Sequence, residues 1–171
     1  MKLVKGLVSG LCLVAAVGTV QASAIIDVTT GWDGKFYWDG GLGPIDSIDG
    51  ATGSDWTITV GTDSIMSLAT AYDGYIVGDE FALVVDGITT SWTSSYEDTS
   101  GYYHGIYDDL FLTAGTHSLT FELTALAPGY PSGGAFAEFS GVTAAAVPEP
   151  GSLVLLGLGL AGLGISRKRA S

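Results

Sequence analysis

The chain has 171 residues, one cysteine, and 18 acidic against six basic side chains, for a net charge of −12. A single cysteine excludes a disulfide framework within the chain and a cage of thiolates around a metal. The acid excess excludes nucleic acid as a partner, because holding a phosphate backbone takes cations.

Residues 1–24 read as a secretory signal peptide. Lys2 and Lys5 form a positive start, Leu7 to Val20 an apolar run, and Ala22-Ser23-Ala24 a small-x-small cleavage site at Ala22 and Ala24. Cys12 is not read as a lipidation site, since Leu11 stands where a small residue is needed and the apolar run continues past it. Processing after Ala24 leaves a body without cysteine, which must hold its fold by burial alone. One domain over 25–146 is long enough to do so. Between Asp27 and Glu138 lie seventeen acids against the single lysine Lys35, which gives the body a charge of −16. Such a surface repels anionic membranes. It favours solubility and can attract divalent cations.

The body reads as strands throughout. Turns are expected at Asp33-Gly34, Asp39-Gly40-Gly41, Asp49-Gly50, Asp73-Gly74, Asp86-Gly87 and Ala114-Gly115. Trp56 to Val60 alternates, with Trp56, Ile58 and Val60 on one face and two threonines on the other. Phe81 to Val85 is a continuous apolar run that fits a central strand. Gly101 to Gly105, around His104, reads as an aromatic loop. Ser118 to Leu126 alternates again, with Leu119, Phe121 and Leu123 inward. Ala135 to Val142 reads as a last strand with a bulge or kink, because Phe136 and Phe139 differ in parity. Short strands about ten residues apart, with no helical stripe, predict an all-β domain. We expect an antiparallel β-sandwich, jelly-roll-like, between the signal peptide and a C-terminal membrane helix.

Catalytic chemistry finds little support. No G-x-S-x-G elbow occurs. His117 at a turn-to-strand junction reads as a hydrogen-bonded structural histidine. The adjacent carboxylates Asp79-Glu80, Glu97-Asp98 and Asp108-Asp109 point to opposite faces of any strand that carries them. No catalytic residue and no cofactor is assigned. Structural calcium is the metal to consider, through Asp46 and Asp49 in an aspartate-rich stretch, although the EF-hand pattern is absent. For a sugar ligand, the aromatics between 91 and 107 matter most. Trp92, Tyr96, Tyr102 and Tyr103 are the candidate stacking faces, because sugar rings pack on exposed aromatic rings.

The last segment, 147–171, has three parts in order. Pro148-Glu149-Pro150 is a stiff, extended hinge. Leu153 to Ile165 is apolar, glycine-rich and shorter than the about 20 residues a full span needs. Arg167, Lys168 and Arg169 form a basic end that stays on the cytoplasmic side. This ordered triple resembles the PEP-CTERM sorting signal of exported bacterial proteins. The resemblance implies a transient inner-membrane anchor, cut near Pro-Glu-Pro by a membrane protease of the exosortase type, and release to the cell surface or matrix. Gly78 to Gly87, and Leu112 to Thr124 followed by Gly133-Gly134-Ala135-Phe136, resemble body segments that recur among such proteins. Those families are associated with exopolysaccharide and biofilm. The resemblance therefore implies a non-enzymatic surface or matrix protein. The alternatives are a carbohydrate-binding module of that matrix and, behind it, a secreted hydrolase.

Overall fold

Alternation decides where each strand of the body faces, and thirteen strands result. The computed structural model describes residues 23–146; Ala22 and the whole 147–171 segment lie outside them. In chain order the strands are β1 (Ala24–Ile25), β2 (Trp32–Asp39), β3 (Gly43–Pro44), β4 (Ser47–Ile48), β5 (Trp56–Val60), β6 (Ser64–Asp73) and β7 (Glu80–Val85). Then follow β8 (Ile88–Thr90), β9 (Ser94–Glu97), β10 (Tyr103–Leu112), β11 (Gly115–Ala125), β12 (Ser132–Phe139) and β13 (Val142–Ala144). Among the described residues there is no helix.

The strands form two sheets. One runs β1-β5-β11-β7-β8, with β3 also on β11; the other runs β4-β2-β12-β6-β10-β9, with β13 also on β6. Every pairing is antiparallel except β1 with β5. The central orders β5-β11-β7-β8 and β2-β12-β6-β10 interleave in sequence, so the chain crosses repeatedly from sheet to sheet. That interleaving is the arrangement of a jelly roll, as the strand pattern predicted.

The inner faces carry the expected side chains. Trp56, Ile58 and Val60 on β5, Phe81 and Leu83 on β7, and Leu119, Phe121 and Leu123 on β11 are all buried. They meet Phe36 and Trp38 of β2 and Phe139 of β12, which come from the other sheet. The rings meet mainly edge to face: Trp32 on Trp56 at 5.1 Å and 68°, Phe36 on Phe81 at 5.2 Å and 83°. Such pairs add to simple area burial.

One feature organises the second sheet. In β6 the side chains buried toward the core are Ser64 and Met66, then Ala69, Ala71 and Asp73, so parity flips between 66 and 69, while Thr70 is buried on the other face against the Gly105 carbonyl. Its neighbours flip in the same row. On β10 the inward set changes from Gly105 to Leu110 and Leu112, with Asp109 between at φ 55°. On the other side, β12 ends at inward Phe139, and Val142 resumes the inward parity in β13. Because all three strands turn over in one row, the pairing register is the same above and below it. Backbone groups orphaned at the break are met by Ser140, whose hydroxyl accepts from Leu68 N–H at 3.1 Å and whose own N–H donates to the Leu68 carbonyl at 2.9 Å. The expected kink thus lies at Ser140-Gly141. Phe136 simply faces outward in an unbroken strand.

Two expectations are corrected. Asp33-Gly34 is not a turn; it lies inside β2, where an inward Gly34 accommodates the Trp32 ring. His104 is not in a loop; it is the second residue of β10. The chain leaves the domain beside the start of β6, where Ala144 pairs with Ser64 and Ala145 N–H donates to the Asp63 carbonyl. The far end of β6 feeds the 74–79 loop.

Candidate functional site

The outer face of the second sheet carries a row of rings. Lys35, Phe136, Tyr72, His104 and Tyr96 are successive directly opposed residues on β2, β12, β6, β10 and β9. Neighbouring strands lie about 4.8 Å apart, so opposed rings must stack or avoid each other. Here they stack. Tyr96 on His104 is 4.8 Å at 2°, His104 on Tyr72 is 5.4 Å at 8°, and Tyr72 on Phe136 is 5.1 Å at 11°. Tyr75 folds back from the 74–79 loop to extend the stack, 5.5 Å from Phe136 at 14°. The Lys35 ammonium sits 5.4 Å from the Phe136 ring centre and 5.7 Å from that of Tyr75. Asp98 stands 3.6 Å from His104 Nε2.

Stacking face to face spends the ring faces on one another. Solvent therefore meets ring edges and the Tyr72 hydroxyl, with an open face at Tyr96 on the end strand β9. Of the four expected sugar contacts, only Tyr96 belongs to this row. Trp92 points inward: its indole N–H donates to the Phe81 carbonyl at 2.7 Å, and its ring lies on Gly105, where any Cβ would come within 2.3 Å of it. Tyr103 also points inward, its hydroxyl 3.4 Å from the same carbonyl. β10 parity explains both outcomes, since Tyr103 and His104 are neighbours and must face opposite ways. Tyr102 is half-buried in the turn that Asp98 caps.

Beside the ring row lies a groove of about 750 Å³, lined by Asp33, Lys35, Asp49, Tyr72, Phe136 and Glu138 among others. Asp33 and Glu138 are directly opposed across β2 and β12. Burial pushes the Tyr72 hydroxyl up, and the Glu138 and Asp33 charges push it further, so it stays a proton donor at neutral pH.

Asp46 and Asp49 have separate partners. Asp46 accepts a hydrogen bond from the Asp39 N–H, and Asp49 lies by Lys35 in the groove. Among the described residues no three histidine, cysteine, aspartate or glutamate side chains are placed to hold a metal ion together.

His117 is fixed at both nitrogens. Nδ1 is 2.7 Å from an Asp86 carboxylate oxygen and Nε2 is 2.8 Å from the Thr113 carbonyl. Both partners can accept, so the protonated ring satisfies both hydrogen bonds. The hydrogen bond to Asp86, then that to Thr113, holds the imidazole above its usual range. Burial pushes the Asp86 carboxyl up, but hydrogen bonds from His117 and from Ser118 N–H outweigh it and bring it below its usual range. The raised histidine contributes stability that is complete below about pH 6.5 and lost as pH rises through its folded value. The lowered aspartate contributes above about pH 4 and loses it as pH falls further. The pair therefore works best between those limits. Urea unfolding of His117→Ala against wild type is expected to show a larger stability gap at pH 5.5 than at pH 8.5. Equal gaps would mean that the imidazole is neutral.

Sequence reasoning missed a second pair. Asp73 ends β6 with 2% exposure, and Asp79, 4% exposed, accepts from Ala127 N–H at 2.8 Å. Burial raises both carboxyls, and N–H groups of Tyr75, Gly74, Ile76 and Asp79 pull Asp73 back. The two aspartates tie down the 74–79 and 126–131 loops. Only an Asp-Gly turn signal marked Asp73, and nothing marked its burial.

Neither the curated proteins nor the solved structures contain a match to this chain. Residues 146–169 match the PEP-CTERM protein-sorting motif, the segment that carries Pro148-Glu149-Pro150, the apolar run and the basic end. The chain thus carries a PEP-CTERM sorting signal at its C-terminal end, which supports an exported protein of the kind exosortases process.

Proposed function

We propose that this is a non-enzymatic surface or matrix protein whose sandwich binds extracellular polysaccharide along the outer face of the β2–β9 sheet. The observation that carries the reading is the ring row from Tyr75 to Tyr96 with the groove beside it. A row crossing four strands offers a long, rigid edge with hydroxyls, suited to an extended polymer rather than to a small molecule. Mature protein run in native gels cast with polysaccharides is expected to be retarded by at least one of them. Tyr96→Ala and Phe136→Ala should each relieve that retardation. No retardation by any polymer would sink the reading.

The tail serves as a temporary anchor. Its basic end holds the C-terminus inside while the body sits outside, and cutting at the Pro-Glu-Pro hinge frees the body. Mass measurement of protein from envelope and medium is expected to show loss of Arg167 to Arg169. Glu149→Ala should leave uncut chain in the membrane. Wild-type protein that keeps its basic end at steady state would make the tail a permanent anchor.

A further inference from the structure

We propose that the polymer held in the groove is an amino sugar polysaccharide, carrying free, cationic amines. The inference rests on the polysaccharide reading above and adds the charge of the ligand. Asp33 and Glu138 are directly opposed on the outer face, where side chains start about 5 Å apart. Like charges in that position weaken a sheet. Yet among the described residues neither carboxylate makes a hydrogen bond or an ion pair. Asp49 adds a third carboxylate to the same groove. Among the described residues the lysine of the body makes no ion pair with Asp33 or Glu138: the Lys35 ammonium sits over the Tyr75 and Phe136 rings and feels the Asp49 charge instead. A uronate or sulfated polymer meets repulsion here. A neutral polymer leaves two opposed charges unanswered. A polymer with ammonium groups answers them, while the Tyr72 hydroxyl donates to a ring oxygen or hydroxyl beside it.

The whole body is acidic, so any polycation feels some attraction, and the test must separate the groove from the background. Binding of the mature protein is measured for four probes: partly deacetylated poly-N-acetylglucosamine, the same polymer fully N-acetylated, a neutral glucan, and polygalacturonate. The deacetylated polymer is expected to bind at least tenfold more tightly than the other three. Asp33→Asn with Glu138→Gln should reduce that binding at least tenfold. A charge-matched control, Glu80→Gln with Glu97→Gln, removes the same two charges from exposed positions elsewhere and should change it less than twofold. Equal or tighter binding of the neutral or acetylated polymer overturns the inference and leaves the polysaccharide reading standing. No binding to any of the four overturns the inference, and the reading falls only if its wider set of polymers fails as well. Equal losses in the groove and control variants, or oligolysine bound as tightly and lost with the same groove variants, would mean a general polycation surface and overturn it too.

Discussion

Phe121→Ala is expected to cost about 3–5 kcal/mol, as truncation of a buried phenylalanine does. The ring has no exposure and stands where both sheets meet. It lies 5.0 Å from Phe36, 5.2 Å from Trp56, 5.8 Å from Phe139 and 6.1 Å from Trp92. Those neighbours come from β2, β5, β12 and the segment before β9. The space left by the ring cannot close without moving several of them. Domains of this kind are held by about 5–15 kcal/mol in total, so the variant should unfold at much lower urea. Phe111→Ala, at a ring 54% exposed on β10, is the internal comparison and should change stability by less than about 1 kcal/mol. A Phe121→Ala loss that small would mean that the two sheets are not packed as described.

Gly31→Ala is expected to cost about 2–5 kcal/mol. Gly31 sits at φ 81°, in the left-handed region, where a Cβ costs about 1–2 kcal/mol. Its N–H donates to the Asp27 carbonyl at 2.8 Å, closing a turn whose other N–H groups, from Thr29 and Thr30, reach the Asp27 carboxylate. An added Cβ would come 2.0 Å from the Phe139 carbonyl oxygen and 2.8 Å from the Ser140 carbonyl carbon. These are backbone atoms at the row where β12 breaks, so overpacking adds about 1–3 kcal/mol. Gly87→Ala separates the two contributions: its φ is 78°, and nothing lies within 4 Å of the new Cβ. It should cost only the backbone part. Equal losses for Gly31→Ala and Gly87→Ala would show that the turn moves aside freely.

Where one strand alone carries the pattern, the sequence was enough to read it. β5 was read with its observed bounds, and β11 was read from its Leu119-Phe121-Leu123 stripe, because each alternates without interruption. β6 and β10 were hidden by the parity flip that they share with β12 and β13. Each half of β6 alternates, but over ten residues the halves cancel, and small Ala69 and Ala71 weaken the inward stripe. β10 begins among glycines and tyrosines that imitate a loop. The ring row could not be read at all. Its five rings are scattered between 72 and 136, and only cross-strand register brings them together. The opposed Asp33 and Glu138 were lost in the same way, and Asp33 was further disguised by an Asp-Gly turn signal. Asp46 and Asp49, three apart in sequence, take different partners, the Asp39 N–H for one and the groove beside Lys35 for the other. The tail needed no pairing to be legible, since its three parts act in linear order.

The last described strand, β13, lies beside Ser64 at the start of β6, so the segment that leads to the sorting signal begins from that end of the domain. β6 has ten residues, so its ends are about 30 Å apart at about 3.3 Å per residue. The Asp86–His117 pair lies at the base, near Gly115, and the exposed Ile76, Val77 and Tyr130 lie at the summit. The ring row crosses the strands at Tyr72, next to the last residue of β6, so it lies at the end of the sandwich away from that exit. A polymer on the ring row would therefore be held on the far side of the domain from the segment that leads to the sorting signal.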